Sequence, residues 1–390
     1  MTEELKAISR TNRIQSLDIL RGFALLGIGL VNILGFNASF FDFGGFYNNL
    51  PDPVQQNFYS IFIGLTADKF IFIYSFLFGY GFYLQFYKYG SQGSTFKNYY
   101  KRRIFFLGLF GIAHILFLWA GDILLPYSIA GFILFLFRKQ STKLLLLVGF
   151  LSYFFISFWQ IVVIWVPLPS GMSSTCTECL TDALQIYPVS NYVECLKLRL
   201  SEYYAFRYNN MLYYFPKILG VFIFGYLASK YTLHKRIQEN RSKWFFVFLM
   251  TGSISLLLFL YYESWVFKIL APESDYLNAL FMGAYELTNL FMASGYILFI
   301  LLLASFKTII LKPFAFAGRM SLTNYILQSV LFSIIFYGWG FGKFGMQNPG
   351  VFVWYAVIVF IFQLLFSYLW LKAYKHGPLE WLWRRLSYRN

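Results

Sequence analysis

Apolar stretches of about 17–25 residues recur along the whole chain, each long enough to cross the hydrocarbon of a bilayer as a helix. The pattern predicts ten spans, roughly Ile19–Phe36, Ala67–Phe86, Ile104–Ala120, Ile123–Phe137, Leu144–Val166, Tyr213–Ser229, Trp244–Tyr262, Leu280–Ser305, Met320–Tyr337 and Val351–Leu371. Backbone groups inside lipid must satisfy one another, so the expected fold is all-α, a polytopic transmembrane helical bundle. One connection is long, residues 167–212, and is expected outside the cell. The end of the chain, 375–390, reads as a basic aromatic tail lying in the cytoplasmic interface. No other segment could form a soluble fold, so residues 1–390 are expected to be a single integral membrane domain. Met1 to Leu17 is polar, so no cleavable leader is expected.

Charge supports the count, because it falls on alternate connections. Lys6, Arg10 and Arg13 precede the first span, and Lys88 to Arg103, Arg138 to Lys143, Lys230 to Lys243, Lys307 to Arg319 and Lys372 to Arg389 follow every second one. Between Asn37 and Ala67 there are only acids, Asp42 and Asp52. By the positive-inside rule both termini are expected in the cytoplasm of a multi-pass plasma-membrane protein. Only 13% of residues are charged, where a soluble domain carries about 25%. The net charge of +15 suits anionic inner-leaflet lipid and calls for no nucleic-acid partner.

Cys176, Cys179 and Cys195 all fall in the long connection. With three thiols and no nearby histidine, a closed zinc site cannot be completed there, and no metal is expected. A disulfide within this loop, leaving one thiol over, is the expectation. Tyr203, Tyr204 and Tyr208 suggest that the same loop lies over the outer face as a lid.

Ionisable side chains inside hydrocarbon cost about 2.5–3.5 kcal/mol or more, so they are the candidates for chemistry. His114 lies mid-way along the third apolar run, in a chain with three histidines. Imidazole accepts and returns protons near neutral pH. Asp122 follows in Gly121-Asp122-Ile123-Leu124-Leu125-Pro126, a turn between two short spans. A straight helix would hold the two about 12 Å apart, whereas a chain folded back at that turn would let the carboxylate orient the imidazole. His114 and Asp122 are therefore the candidate catalytic pair. The alternative is a polar residue satisfied between helices.

Asp18, Arg21, Gly22, Gly29 and Asn32 share a stripe of the first span. Asp18, Arg21 and Asn32 are candidate substrate contacts, with an inner-rim ion pair and glycine packing notches as the structural alternative. Asp68 and Lys69 open the second span, Glu286 lies in the eighth with Asn289, and Asn324 lies in the ninth on one face with Ser321 and Gln328. These too are candidate substrate contacts, or, for the ninth span, interhelical hydrogen-bonding groups. Lys101, Arg102 and Arg103 begin the third span, and Arg103 shares a face with His114 about 16 Å away. That suits an elongated cofactor with an anionic head at the inner rim. Arg102, Arg103 and Arg319 are the candidate phosphate contacts, since guanidinium forks grip phosphate bidentately.

Several of these segments carry a family resemblance. Arg13-Ile-Gln-Ser-Leu-Asp18-Ile-Leu-Arg21-Gly22, Val31-Asn32, Gly111-Ile-Ala-His114, Gly121-Asp122-Ile-Leu, Gly318-Arg319-Met-Ser-Leu-Thr-Asn324-Tyr325 and Gly377-Pro-Leu-Glu-Trp-Leu-Trp383-Arg384 resemble the YeiB family of bacterial membrane proteins. The opening motif is similar to that of transmembrane acyltransferases, including heparan-α-glucosaminide N-acetyltransferase. The resemblance implies transfer of an acyl group from cytoplasmic acyl-CoA to an acceptor across the membrane. In the lysosomal enzyme the active histidine belongs near the outer end of the second span, but Asn37 to Lys69 has none here. His114 would have to take its place.

The expected function is accordingly acyl transfer from acyl-CoA to a hydroxyl or amine, with His114 as general base and Asp122 orienting it. Asn32 or Lys69 would stabilise the oxyanion. The expected partners are membrane lipids and a small-molecule or glycan acceptor, with a homodimer compatible. A transporter or exporter of a small amphipathic molecule is the rival reading, using the same buried polar groups as a pathway. Haem or quinone carriage is weak, because His234 and His376 fall in cytoplasmic connections.

Overall fold

A computed structural model describes residues 14–41, 43–165, 177–204, 209–261, 275–306 and 309–388. The described residues form helices joined by turns and loops, with no strand. The first half contains α1 (Gln15–Asn37), α2 (Phe43–Asn48), α3 (Pro53–Thr66), α4 (Lys69–Tyr89), α5 (Ser94–Phe117), α6 (Leu124–Phe137), α7 (Thr142–Tyr153) and α8 (Phe155–Trp165). Then come α9 (Thr177–Ile186), α10 (Tyr192–Glu202), α11 (Asn209–Lys230), α12 (Leu233–Glu239) and α13 (Arg241–Tyr261). The last are α14 (Asp275–Ser305), α15 (Lys312–Arg319), α16 (Ser321–Phe336), α17 (Pro349–Ala373) and α18 (Pro378–Ser387). Lys6, Arg10, Arg13, Asp42, Cys176, Tyr208 and Lys307 lie outside the described residues.

Five stretches are long and apolar enough to cross a membrane: Gln15–Asn37, Pro53–Tyr89, Arg241–Leu260, Leu280–Ser305 and Pro349–Ala373. The helices Leu124–Phe137, Thr142–Tyr153 and Ser321–Phe336 are apolar but shorter. Two expected boundaries move. The stretch expected as one span from Leu144 to Val166 divides at Phe154 into α7 and α8. The second span is preceded by α3, whose start is set by the Asp52 carboxylate accepting from Val54 N and by Pro53 in the first turn. Between α3 and α4, Asp68 adopts φ 63°, a backbone state that costs a non-glycine residue about 1–3 kcal/mol.

The bundle is held by backbone-to-backbone approach at glycines. A Cβ on Gly79 would lie 1.9 Å from Phe222 O, and one on Gly225 would lie 1.9 Å from Phe76 O, so α4 and α11 touch reciprocally. The same device joins α1 to α15, where Gly22 faces Phe314 O and Gly318 faces Asp18 O. Such close approach brings many atom pairs into dispersion contact, which holds the helices together. At the periphery, only 6% of the apolar window of α13 is buried, and Phe105, Leu109, Ile112 and Leu116 on α5 point outward.

The tail is built into the bundle instead of lying apart from it. In α18, Trp383 Nε1 donates to Arg103 O at 2.8 Å, and Glu380 accepts from Leu322 N and Thr323 N at 2.7 and 3.0 Å. A carboxylate at those amides satisfies donors that the start of α16 leaves open.

Candidate functional site

The third apolar run ends as a helix soon after His114, whose carbonyl accepts from Leu118 N at 2.8 Å and Trp119 N at 3.0 Å. The chain then reverses through Gly121 and Asp122. One Asp122 oxygen, Oδ2, accepts from Leu125 N at 2.7 Å and so starts α6, while Oδ1 reaches 3.2 Å from His114 Nδ1. This Nδ1–Oδ1 pair is within ion-pair distance but outside hydrogen-bond angles. The helix-derived separation of about 12 Å therefore does not apply, because the helix stops before Asp122. Gly111 permits the turn, since a Cβ there would lie 2.4 Å from Leu125 N and 2.9 Å from Asp122 Oδ2.

On the other side of the ring, His114 Nε2 lies 2.8 Å from Ser329 Oγ, and the Tyr325 ring sits 5.0 Å from the imidazole. His114, Asp122 and Ser329 are 1%, 2% and 1% exposed, so the cluster is enclosed by protein, not by lipid or open solvent. Helical spacing puts Ser321, Asn324 and Gln328 on one face of that helix and leaves Ser329 unmarked. Its signal was present in Tyr325, Ser329 and Ser333, which recur at four-residue spacing.

The C-terminal end of α5 is closed by the long connection. Arg199 donates to Leu118 O at 2.6 Å and Leu116 O at 3.1 Å, and Tyr192 OH donates to Phe117 O at 2.6 Å. A guanidinium there meets carbonyls the helix cannot pair itself, at the negative end of its dipole. Glu202 neighbours Arg199 and accepts from Ser39 Oγ, Phe40 N and Tyr187 OH. Burial pushes its pKa up to about 7, against the downward pull of those donors and of Arg199. The loop thus packs on the site's helix through Arg199 and Tyr192. Tyr204, one of the expected lid residues, is exposed. Cys195 is free and buried, while the side chains of Cys176 and Cys179 lie outside the described residues.

A second cluster gathers Asp68, Lys69 and Glu286, and adds Lys217, a lone cation in the sixth apolar run that sequence reasoning passed over. Lys217 Nζ lies 3.1 Å from Asp68 Oδ2 and 2.7 Å from Glu286 Oε2. Tyr285 OH donates to Asp68 at 3.2 Å, and Lys69, 1% exposed, stands 5.6 Å over the Tyr285 ring. Lys69, expected as an oxyanion group, is thus placed at the start of α4 beside Tyr285. Asn289, on α14 with Glu286, is fully buried.

The remaining candidates separate by role. Asp18 and Arg21 form a 2.7 Å ion pair, the structural alternative weighed for them. Asn32 is half-buried, and among the described residues no hydrogen bond joins it to His114. Asn324, expected to touch substrate, has no exposure and spends its amide on Ala317 O at 3.2 Å and Ser367 Oγ at 2.8 Å. It ties α16 to α15 and α17. Arg102 is exposed, whereas Arg103 is half-buried with its guanidinium 3.6 Å over Trp383. Arg319 is half-buried at the end of α15. One turn of α18 connects these arginines, because Glu380 grips the backbone just beyond Arg319 and Trp383 grips Arg103.

Fold and site together define an all-helical protein with apolar, membrane-length helices around a buried His–Asp–Ser cluster. Residues 228–390 match the family described as "Protein of unknown function (DUF418)". "Uncharacterized protein YxaH" of Bacillus subtilis (strain 168) is 29% identical over 393 residues, covering 96% of this chain and 94% of the relative. An "Uncharacterized 39.9 kDa protein in amylase 3'region" of Bacillus acidopullulyticus is 29% identical, covering 98% and 96%. "Uncharacterized protein YeiB" of Escherichia coli (strain K12) is 27% identical, covering 96% of each. The chain is thus similar over nearly its whole length to uncharacterized proteins that include YxaH and YeiB, and its last part matches the DUF418 family.

Proposed function

We propose that the chain is a multi-pass plasma-membrane acyltransferase with ten spans and both termini in the cytoplasm, moving an acyl group from acyl-CoA to a hydroxyl or amine. The observation that carries this reading is the imidazole held between a carboxylate and a hydroxyl, at 3.2 and 2.8 Å. A base so placed removes a proton from a hydroxyl as that oxygen attacks a carbonyl, and the Asp122 carboxylate at ion-pair distance stabilises the imidazolium that forms. Acyl-CoA is the donor substrate. Arg102, Arg103 and Arg319 lie at the end of the bundle to which α18 docks, suited to an anionic head. His114 lies eleven residues beyond Arg103 on the same helix, about 16 Å deeper. The thioester end of an elongated donor fits that depth.

Purified protein is expected to release CoA and transfer the acyl group, with His114→Ala slowed about 100- to 10,000-fold. Full activity in His114→Ala would remove the assignment. A second reading draws on the Asp68–Lys217–Glu286 cluster, in which three ionisable side chains from separate parts of the chain, Glu286 buried and the others largely so, meet. Such groups also line transport pathways, and a transporter of a small amphipathic molecule would use them so. Stabilisation by CoA favours the enzyme. Substrate accumulation in vesicles without CoA release favours the transporter.

A further inference from the structure

The hydroxyl that His114 holds belongs to the chain itself. Ser329 Oγ lies 2.8 Å from Nε2, while Asp122 occupies the opposite ring nitrogen at 3.2 Å. A serine that only satisfied its own helix would bond chiefly to the carbonyl four residues back. Here that contact, to Tyr325 O, is 3.3 Å, longer than the contact to the imidazole. Two neighbours hold the arrangement in place: Ser333 Oγ donates to Ser329 O at 2.7 Å, and the Tyr325 ring packs 5.0 Å from the imidazole. A hydroxyl is a weak nucleophile unless a base takes its proton as the new bond forms, and a base oriented by a third group is the arrangement that does so.

We propose that Ser329 is the nucleophile and carries the acyl group as an ester between donor and acceptor. This inference rests on the acyl-transfer reading. In the first half, Ser329 Oγ attacks the thioester carbonyl while His114 Nε2 takes its proton. The C–S bond breaks, and the imidazolium returns that proton to the departing thiolate, giving free CoA. In the second half, the acceptor hydroxyl or amine attacks the ester carbonyl and gives its proton to His114. The C–Oγ bond breaks, and Ser329 recovers a proton from the imidazolium. One acyl group has moved from sulfur to the acceptor, with no oxidation or reduction. Donor and acceptor approaching from opposite membrane faces need never meet, and burial of all three side chains keeps water from the ester.

The test uses the full-length protein in detergent with two probes. A fluorophosphonate reacts with activated serines without needing CoA, and radiolabelled acetyl-CoA followed by acid quench traps an acyl-protein. Both labels are expected on the peptide containing Ser329 and absent from Ser329→Ala, with rates about 100-fold lower or less in His114→Ala and Asp122→Asn. Ser329→Cys, a check should the alanine variant fail to fold, is expected to take an acyl label that neutral hydroxylamine removes, as a thioester requires. An unlabelled wild-type protein under the fluorophosphonate overturns the proposal. So does Ser329→Ala transferring acyl groups at the wild-type rate, and if His114→Ala is then inactive the acyl-transfer reading stands alone. Fluorophosphonate on Ser329 without any CoA release keeps the nucleophile and removes acyl-CoA as donor.

Discussion

At the scale of single residues, Gly111 decides whether the site exists. Its missing side chain lets Asp122 and the start of α6 press against α5. Gly111→Ala would put a methyl 2.4 Å from Leu125 N, against backbone that cannot rotate away. We expect a loss of about 1–3 kcal/mol, read as a lower melting temperature, together with lost acyl transfer from a displaced Asp122. Glu202 makes a pH prediction. Its folded pKa of about 7 lies above the ordinary carboxylate value, so the folded state holds its proton more tightly than the unfolded state. The associated stability is full below the unfolded pKa and is lost as pH rises through about 7, by up to about 1.4 kcal/mol per pH unit. Melting temperatures of the wild type should therefore fall across that window, and Glu202→Gln should flatten the slope.

At the scale of elements, the three helices that meet at Lys217 depend on it. Asp68 stands at the break between α3 and α4, and Glu286 on α14, so one ammonium holds two carboxylates that would otherwise repel. Breaking a buried pair by removing one partner leaves the other charge uncompensated, at about 3–5 kcal/mol. Lys217→Ala is expected to lower the melting temperature more than Arg102→Ala, an exposed site. Equal melting of the two variants would show that the cluster is solvated and contributes little. Hydropathy marked where α1, α13, α14 and α17 run, because each keeps a long apolar stretch. It could not mark the break within Leu144 to Val166, since α7 and α8 are both apolar and the division falls at Phe154 with no glycine or proline.

For the whole molecule, alternation of basic connections is a statement about which face each loop occupies. A C-terminal fluorescent-protein fusion should fluoresce and a C-terminal alkaline phosphatase fusion should be inactive, as both reporters require for a cytoplasmic end. A fusion truncated after Asn191 should show the opposite pattern. The reverse result at either point would end the ten-span topology.

Sequence alone determined that the chain is apolar and helical, which ends of its helices are basic, and that His114 and Asp122 are polar groups in apolar surroundings. These follow from composition and period, properties of each segment by itself. Tertiary structure alone decided that Asp122 turns back to the imidazole, that Ser329 from a helix more than two hundred residues away completes the cluster, and that Arg199 caps the carbonyl end of the histidine's helix. It also placed Asn324 against Ser367 and Lys69 beside Tyr285. The reason is physical: periodicity fixes which face of a helix a side chain occupies, but its partner is set by helix rotation and by notches such as Gly111 and Gly318, where contact depends on the shape of another segment.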